Sequence, residues 1–348
     1  MELDSIYKVS PRQAKVLMMD VLEAGLVPFI HGSPGTGKSA ITKQISDAGN
    51  LDFIDHRLST AAPEDFSGLP RFNGEFATYA PFAGLFPLDQ VSEPKGNGWL
   101  LFLDEMNAAP KSIQAASYQL ILDRMVGQYK LHEDVHIVAA GNLATDRAIT
   151  NTLSTAMQSR MIHLEIEVNF NEWMQDVAIP ENYDKRIIAY LSRYPDKLMD
   201  FNPDHNDKTF ACPRTWSFMD KLLKVSNTTK ALDTAKIPLY AGTVTSGVAV
   251  EFVQFTKVFE SLVQLKDVLA QPADLPVPYD LNLQWATVTF LLDSVTKDNF
   301  EPICTYIDRF GISFRILFYR SLIQRNPTLR THPKWVHSMI EMQRYLND

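Results

Sequence analysis

Residues Gly32-Ser33-Pro34-Gly35-Thr36-Gly37-Lys38-Ser39 fit the phosphate-binding pattern G-x-x-x-x-G-K-[ST] at every fixed position. The residue types suit a polyphosphate. Glycines let backbone N–H groups turn toward phosphate oxygens, Lys38 can reach the terminal phosphates, and the Ser39 hydroxyl is a hard oxygen ligand for Mg²⁺. The expected phosphate-contacting stretch runs from Gly32 through Ser33, Pro34, Gly35, Thr36, Gly37, Lys38 and Ser39 to Ala40.

A second chemical signal lies further along. The apolar run Trp99-Leu100-Leu101-Phe102-Leu103 reads as a buried strand and ends in Asp104-Glu105. A carboxylate at such a tip beside a phosphate loop can hold Mg²⁺ through water, and a second one can orient or deprotonate an attacking water. Acidic residues also close strands with no chemical task. The phosphate pattern upstream is what favours the catalytic reading, with Ser39 and Asp104 as metal ligands.

The elements that must position these groups can be read around them. Ser10-Pro11, then Arg12 to Ala24, then Gly25 predict a capped helix with a glycine stop. Val27-Pro28-Phe29-Ile30 reads as a strand entering the phosphate loop, and Ala40 to Ile45 as a helix leaving it. Further strands are predicted at Leu51–Asp55, Val135–Ala140 (ending at Gly141-Asn142) and Met161–Ile166, with a helix from Pro110 to Asp123. Five strands alternating with helices imply a parallel sheet covered on both faces, with ligands at the carboxyl ends of the strands. Asn73-Gly74 between Phe72 and Glu75-Phe76 predicts a hairpin with a type I′ turn centred on that pair.

After residue 168 the alternation stops. Asp184–Arg193, Pro213–Val225 and Val248–Leu265 read as helices, a proline-rich connector spans Gln271–Pro278, and Leu281–Asp348 resumes as helices with aromatic faces. The division expected is residues 1–168, an α/β core; 169–268, an all-helical domain; and 269–348, a helical C-terminal extension.

Composition narrows the function classes. Apolar content of 45% excludes disorder as the main state, and a net charge of −8 disfavours non-specific binding to nucleic acid or anionic membranes. Cys212 and Cys304 have no metal-binding spacing and suit reduced thiols in a cytoplasmic compartment. No apolar run approaches the length of a membrane span, and Met1-Glu2-Leu3-Asp4 carries acid where a signal peptide carries base. His31, His132, His136 and His163 lack ligand spacing and read as ordinary strand or turn histidines, while Phe310, Trp335 and Tyr345 read as helical core.

Taken together, the motifs across residues 10–265 resemble those of AAA+ ATPases, and among them the MoxR-like group. Asp104-Glu105-Met106-Asn107-Ala108-Ala109-Pro110 is similar to the family's Walker B segment, although an arginine usual after the asparagine is missing here. The resemblance implies ATP and ADP with Mg²⁺ at the phosphate loop, Asp104 on the metal and Glu105 on the nucleophilic water. It implies sensor 1 at Asn142, sensor 2 at Arg214 in Cys212-Pro213-Arg214-Thr215, and an arginine finger at Arg160 in Gln158-Ser159-Arg160-Met161, with Arg147 as the other candidate. Either arginine could instead be a surface charge paired with Asp146 or Glu165. The helical domain would then be a lid, and the working form a homo-oligomeric ring, usually hexameric. Such a ring remodels or assembles a protein partner, commonly one with a von Willebrand factor A domain. The hairpin with Phe72, Phe76, Tyr79, Phe82 and Phe86 lies where the group carries an insertion, so partner contact and ordinary packing are both open for it. Two other functions fit the same motifs: a nucleic-acid-directed motor or loader, and a scaffold that binds ATP without turnover.

Overall fold

The computed structural model describes residues 6–89, 91–94, 96–146, 151–226, 231–257 and 263–342. Arg147 and Tyr345 lie outside the described residues. The chain divides into two compact units, Met1–Asn169 and Phe170–Asp348.

The first unit opens with strand β1 (Lys8–Val9) and helix α1 (Pro11–Glu23), followed by β2 (Val27–His31), α2 (Lys38–Ala48) and β3 (Asp52–Arg57). A short helix α3 (Pro63–Ser67) leads into the hairpin β4 (Leu69–Asn73) and β5 (Phe76–Ala80). Then come β6 (Trp99–Asp104), α4 (Lys111–Leu122), the small ribbon β7 (Met125–Val126) and β8 (Tyr129–Lys130), β9 (Val135–Gly141), α5 (Thr155–Gln158) and β10 (Met161–Ile166). The main sheet is parallel throughout, in the order β1-β10-β2-β9-β6-β3.

This α/β arrangement follows from the strand sequences. Strands buried on both faces read as unbroken apolar runs, and all six residues of β6 are buried. Leu101 and Leu103 face a core shared with Ile113 and Leu120 of α4, whereas Leu100 and Phe102 face α1 and α2 through Ala14, Met18, Ile41 and Ile45. At the start of α1, Ser10 and Gln13 form a reciprocal capping box. The five expected strands are joined by a sixth, because Lys8 and Val9 pair with Glu165 and Ile166 at the sheet edge. Two residues, one of them charged, carry no periodicity from which that strand could be read.

The hairpin is present, but its turn is shifted by one residue from the expected pair. Asn73 pairs with Phe76, so the loop residues are Gly74 and Glu75. Only Gly74 has positive φ there, at 68°. A glycine first with an ordinary residue second is the pattern of a type II′ turn rather than type I′. Phe86 belongs to the core, in contact with His56 and Phe66. Phe72 and Phe76 are 81% and 75% exposed, and Tyr79 and Phe82 are exposed as well.

The second unit is built from helices at Phe170–Trp173, Lys185–Arg193, Pro213–Ser226, Ile237–Val244, Ser246–Thr256, Leu265–Ala270, Leu281–Ser294, Phe300–Ile307, Ile312–Arg325 and Pro333–Met342. Tyr190, Trp216 and Phe252 pack their rings together near one end of the sequence of this unit. Phe300, Tyr306, Phe318 and Tyr319 centre a second core, which also buries Phe310 and takes Trp335 at its edge. The helix expected over Val248–Leu265 ends at Thr256, and Leu265 opens a separate one. Cys212 and Cys304 are both buried free thiols. No helix among the described residues is long and apolar enough to cross a membrane.

Candidate functional site

Strand register explains why residues far apart in sequence meet. Phe29, Ile30 and His31 of β2 pair with Ala139, Ala140 and Gly141 of β9, so the phosphate loop and Asn142 leave the sheet side by side. Leu103 of β6 pairs with Ala139 on the other flank of β9, which brings Asp104 to the same edge. Arg57 of β3 pairs with Asp104, and the chain just beyond it therefore runs next to Glu105.

Between β2 and α2 the loop is a tight, partly buried turn. Gly35 and Gly37 have φ of 85° and 94°, a region that L side chains adopt only with strain. Gly37 is the residue from which α2 starts, and Lys38 is the helix's first residue. The Lys38 ammonium donates to the Gly32 carbonyl at 2.6 Å, to the Ser33 carbonyl at 3.2 Å and to Asn142 Oδ1 at 3.2 Å. Ser39 Oγ donates to Asp104 Oδ2 at 3.4 Å.

Asp104 is buried, and burial raises its pKa above the ordinary carboxylate value, partly offset by the Glu105 backbone N–H and by Lys38. A buried carboxylate and a hydroxyl at this spacing are a donor set that fits Mg²⁺, a hard cation that takes oxygen ligands. Glu105 follows in a left-handed conformation, φ 56°, and its carboxylate accepts from the Ser59 hydroxyl.

Asn107 fastens two of these parts together. Its amide Nδ2 donates to the Asn142 carbonyl at 2.7 Å, and its Oδ1 accepts from the Asn142 N–H at 3.0 Å. Gly141 makes this approach possible, because a Cβ there would lie 2.6 Å from Asn107 Oδ1. Sequence reading placed Asn107 in a motif without a task and missed Ser59, which is 46 positions from its partner and carries no signal of its own.

The remaining expected residues are placed as follows. Arg160 is exposed, just past α5, with Nη1 donating to the Ala156 carbonyl at 2.7 Å and its guanidinium 5.1 Å from the centre of the Tyr118 ring. Among the described residues it forms no ion pair with Asp146 or Glu165. Arg214 is exposed in the first turn of helix Pro213–Ser226, in the second unit. Lys38, Ser39, Asp104, Glu105 and Asn142 are thus brought together within the first unit.

Two histidines that looked ordinary in the sequence form a pair beside this site. His31 Nε2 lies 2.9 Å from His163 Nδ1, and burial, with His163 and Lys38 adding to it, pushes His31 down to about 4. A cavity of about 610 Å³ opens next to them, bordered by Phe29, Asn107, Asn142 and Gln158. Among the described residues no group of three or more His, Cys, Asp or Glu is set to hold a metal ion.

No protein-family model and no curated protein matches the chain. Solved structures do. A Cytophaga hutchinsonii protein described provisionally as an ATPase is 14% identical, with 88% of this chain and 79% of that one covered at a TM-score of 0.35. The RuvB Holliday junction branch migration motor of Thermotoga maritima is 16% identical, with 86% and 88% covered at a TM-score of 0.37.

Proposed function

We infer that the chain is an ATP-hydrolysing protein of the AAA+ kind, with the MoxR-like group as the nearest reading of its motifs. The observation that supports this most is the convergence of Lys38, Ser39, Asp104, Glu105 and Asn142 at the carboxyl ends of adjacent parallel strands. A site for binding ATP alone needs the loop and its lysine. It has no use for a second carboxylate held beside the metal-ligating one.

Each residue has a task on this reading. Backbone N–H groups of the loop at the start of α2 receive the phosphates, and Lys38 exchanges its carbonyl partners for phosphate oxygens. Ser39 and Asp104 would hold Mg²⁺, which would supply positive charge against the phosphates. Glu105 orients the attacking water and takes its proton. Asn142, fixed by Asn107, presents an amide to that water or to the γ-phosphate.

The assembly proposed is a homo-oligomeric ring, a hexamer by resemblance, in which Arg160 acts on the ATP of a neighbour. The exposure of Arg160 and its place on its own subunit's surface support that role. Arg214 would act as sensor 2 on a helical lid. The exposed aromatics Phe72 and Phe76 on the hairpin support partner contact there, with a von Willebrand factor A domain protein as the expected partner and the cytoplasm as the expected compartment.

The deciding test is ATP turnover by wild type and by Glu105→Gln. Wild type should release phosphate in a Mg²⁺-dependent reaction, and the variant should bind ATP with turnover lowered at least about a hundredfold. Tight ATP binding with no turnover by wild type under any condition would favour the scaffold instead.

A further inference from the structure

β2 and β10 set His31 and His163 on one face of the sheet. His163 is the register partner of Phe29, and His31 stands two residues further along β2, so the two imidazoles meet on the diagonal. Besides its 2.9 Å contact with His31, His163 has Nε2 at 2.8 Å from the Gln158 carbonyl oxygen. A carbonyl oxygen only accepts. Neutral His163 therefore carries its proton on Nε2, its Nδ1 is the acceptor, and His31 Nε2–H is the donor. The chain of donation runs one way, from His31 to His163 to Gln158.

Both ends of that chain matter. At one end His31 is bonded directly to Gly32, whose carbonyl accepts from Lys38. At the other end lies α5, a single turn too short to hold itself. Its last carbonyls need partners. Thr155 O accepts from the Ser159 N–H, Met157 O from the Arg160 N–H, Ala156 O from the Arg160 guanidinium, and Gln158 O from His163. Arg160 and His163 between them close the end of the turn. Phe29 stands edge-on to both histidines, with ring centroids 4.3 and 5.5 Å away, and limits their other orientations.

We propose that His31 and His163 are positioning residues that tie the turn bearing Arg160 to the phosphate loop, so that nucleotide in a subunit's own loop alters the arginine it offers to its neighbour. The proposal rests on the reading that nucleotide binds at Lys38. When Lys38 turns to a phosphate it releases the Gly32 carbonyl, and the Gly32–Ser33 peptide, one residue along the chain from His31, is free to rotate and to shift the end of β2 at His31. Two hydrogen bonds then carry that shift to Gln158, two residues from Arg160.

Amide hydrogen exchange of residues 153–163 in the full chain tests it, with and without a slowly hydrolysed ATP analogue and Mg²⁺. Wild type should show a change in exchange of about threefold or more on binding. His163→Leu should bind the analogue with unchanged affinity and lose the response. His31→Gln, whose amide can still donate to His163, should keep it, which simple packing of an imidazole does not predict. If His163→Leu fails to fold, His31→Leu carries the same expectation. A wild-type chain that binds the analogue with no change in this segment overturns the proposal, as does a leucine variant that responds like wild type. Failure of wild type to bind any nucleotide would remove the nucleotide reading itself, and the pair's role with it; the affinity measurement separates that outcome from the other two.

Discussion

Lys38 makes its bonds to the Gly32 and Ser33 carbonyls and to Asn142 in a partly buried loop, so a polyphosphate must replace those partners to gain the ammonium. Removing a charged donor from buried phosphate oxygens costs about 3 kcal/mol, or two decades of affinity. Lys38→Ala should lose nucleotide binding on that scale in calorimetry, and wild-type affinity in the variant would contradict the loop assignment. His31 offers a second check, of stability rather than binding. Its folded pKa is lowered to about 4, below the unfolded value of 6.5. The unfolded chain therefore takes up the proton first as pH falls, and stability is lost between about pH 6.5 and 4 while being fully present above that window. The contribution is about 3 kcal/mol, and His31→Gln should flatten the acid limb of a denaturant-midpoint profile relative to wild type. His56 and His136 are lowered by burial too, so part of the slope should remain in the variant.

At the scale of elements, β9 ends where the chemistry begins. Gly141 has no positive φ to explain it, but a Cβ at that point would meet the Asn107 amide and, at 2.9 Å, the Phe29 ring. Gly141→Ala should cost about 1–3 kcal/mol by overpacking and should displace Asn142, lowering turnover more than nucleotide affinity. Equal turnover in the variant would mean that the clamp formed by Asn107 has no catalytic consequence. The same stretch shows what the sequence could and could not reveal. Strands β2, β6 and β9 were legible because burial on both faces writes itself as unbroken apolar runs, and the phosphate loop because its glycines occupy fixed positions. Ser59, Asn107 and the histidine pair were not legible, since their roles come from strand register and from partners 35 to 132 positions away. The hairpin turn was read one residue early for a related reason: Asn-Gly is a strong local signal, and the pairing of Asn73 with Phe76 overrides it. With both faces of that hairpin tip carrying an exposed aromatic, Phe72→Ser with Phe76→Ser should leave basal ATP turnover within about twofold and reduce any stimulation by a protein partner. Loss of basal turnover would assign those rings to the core machinery instead.

For the whole molecule, charge separates the two readings that share these motifs. Residues 309–340 hold six Lys or Arg and no acid, an unusual stretch in a chain of net charge −8. Most of those cations are engaged within the second unit: Arg309 by the Pro272 and Leu275 carbonyls, Arg315 and Lys334 by Asp308, Arg315 also by Glu341, and Arg325 by Asp293. Within this stretch that leaves only Arg320 and Arg330 exposed and without such a partner, so this basic run offers few free cations for the phosphate contacts of a motor that tracks nucleic acid. A ring acting on protein needs no such surface, but it does need copies of the chain to supply Arg160 to one another. Assembly and catalysis are then one question, and Glu105→Gln with Mg²⁺ answers it by holding ATP in place without turning it over. Its solution mass should rise from that of one chain to that of a closed ring on adding ATP and fall again when nucleotide is removed. If Arg160 is the finger proposed above, the further change Arg160→Ala in that background should leave ATP bound while weakening the ring, because no guanidinium would then reach the neighbour's phosphate. A ring of undiminished stability in the double variant would take the finger role away from Arg160 and direct the search to Arg147. A monomer at every ATP concentration, with wild-type turnover intact, would mean that each chain hydrolyses ATP with its own residues alone.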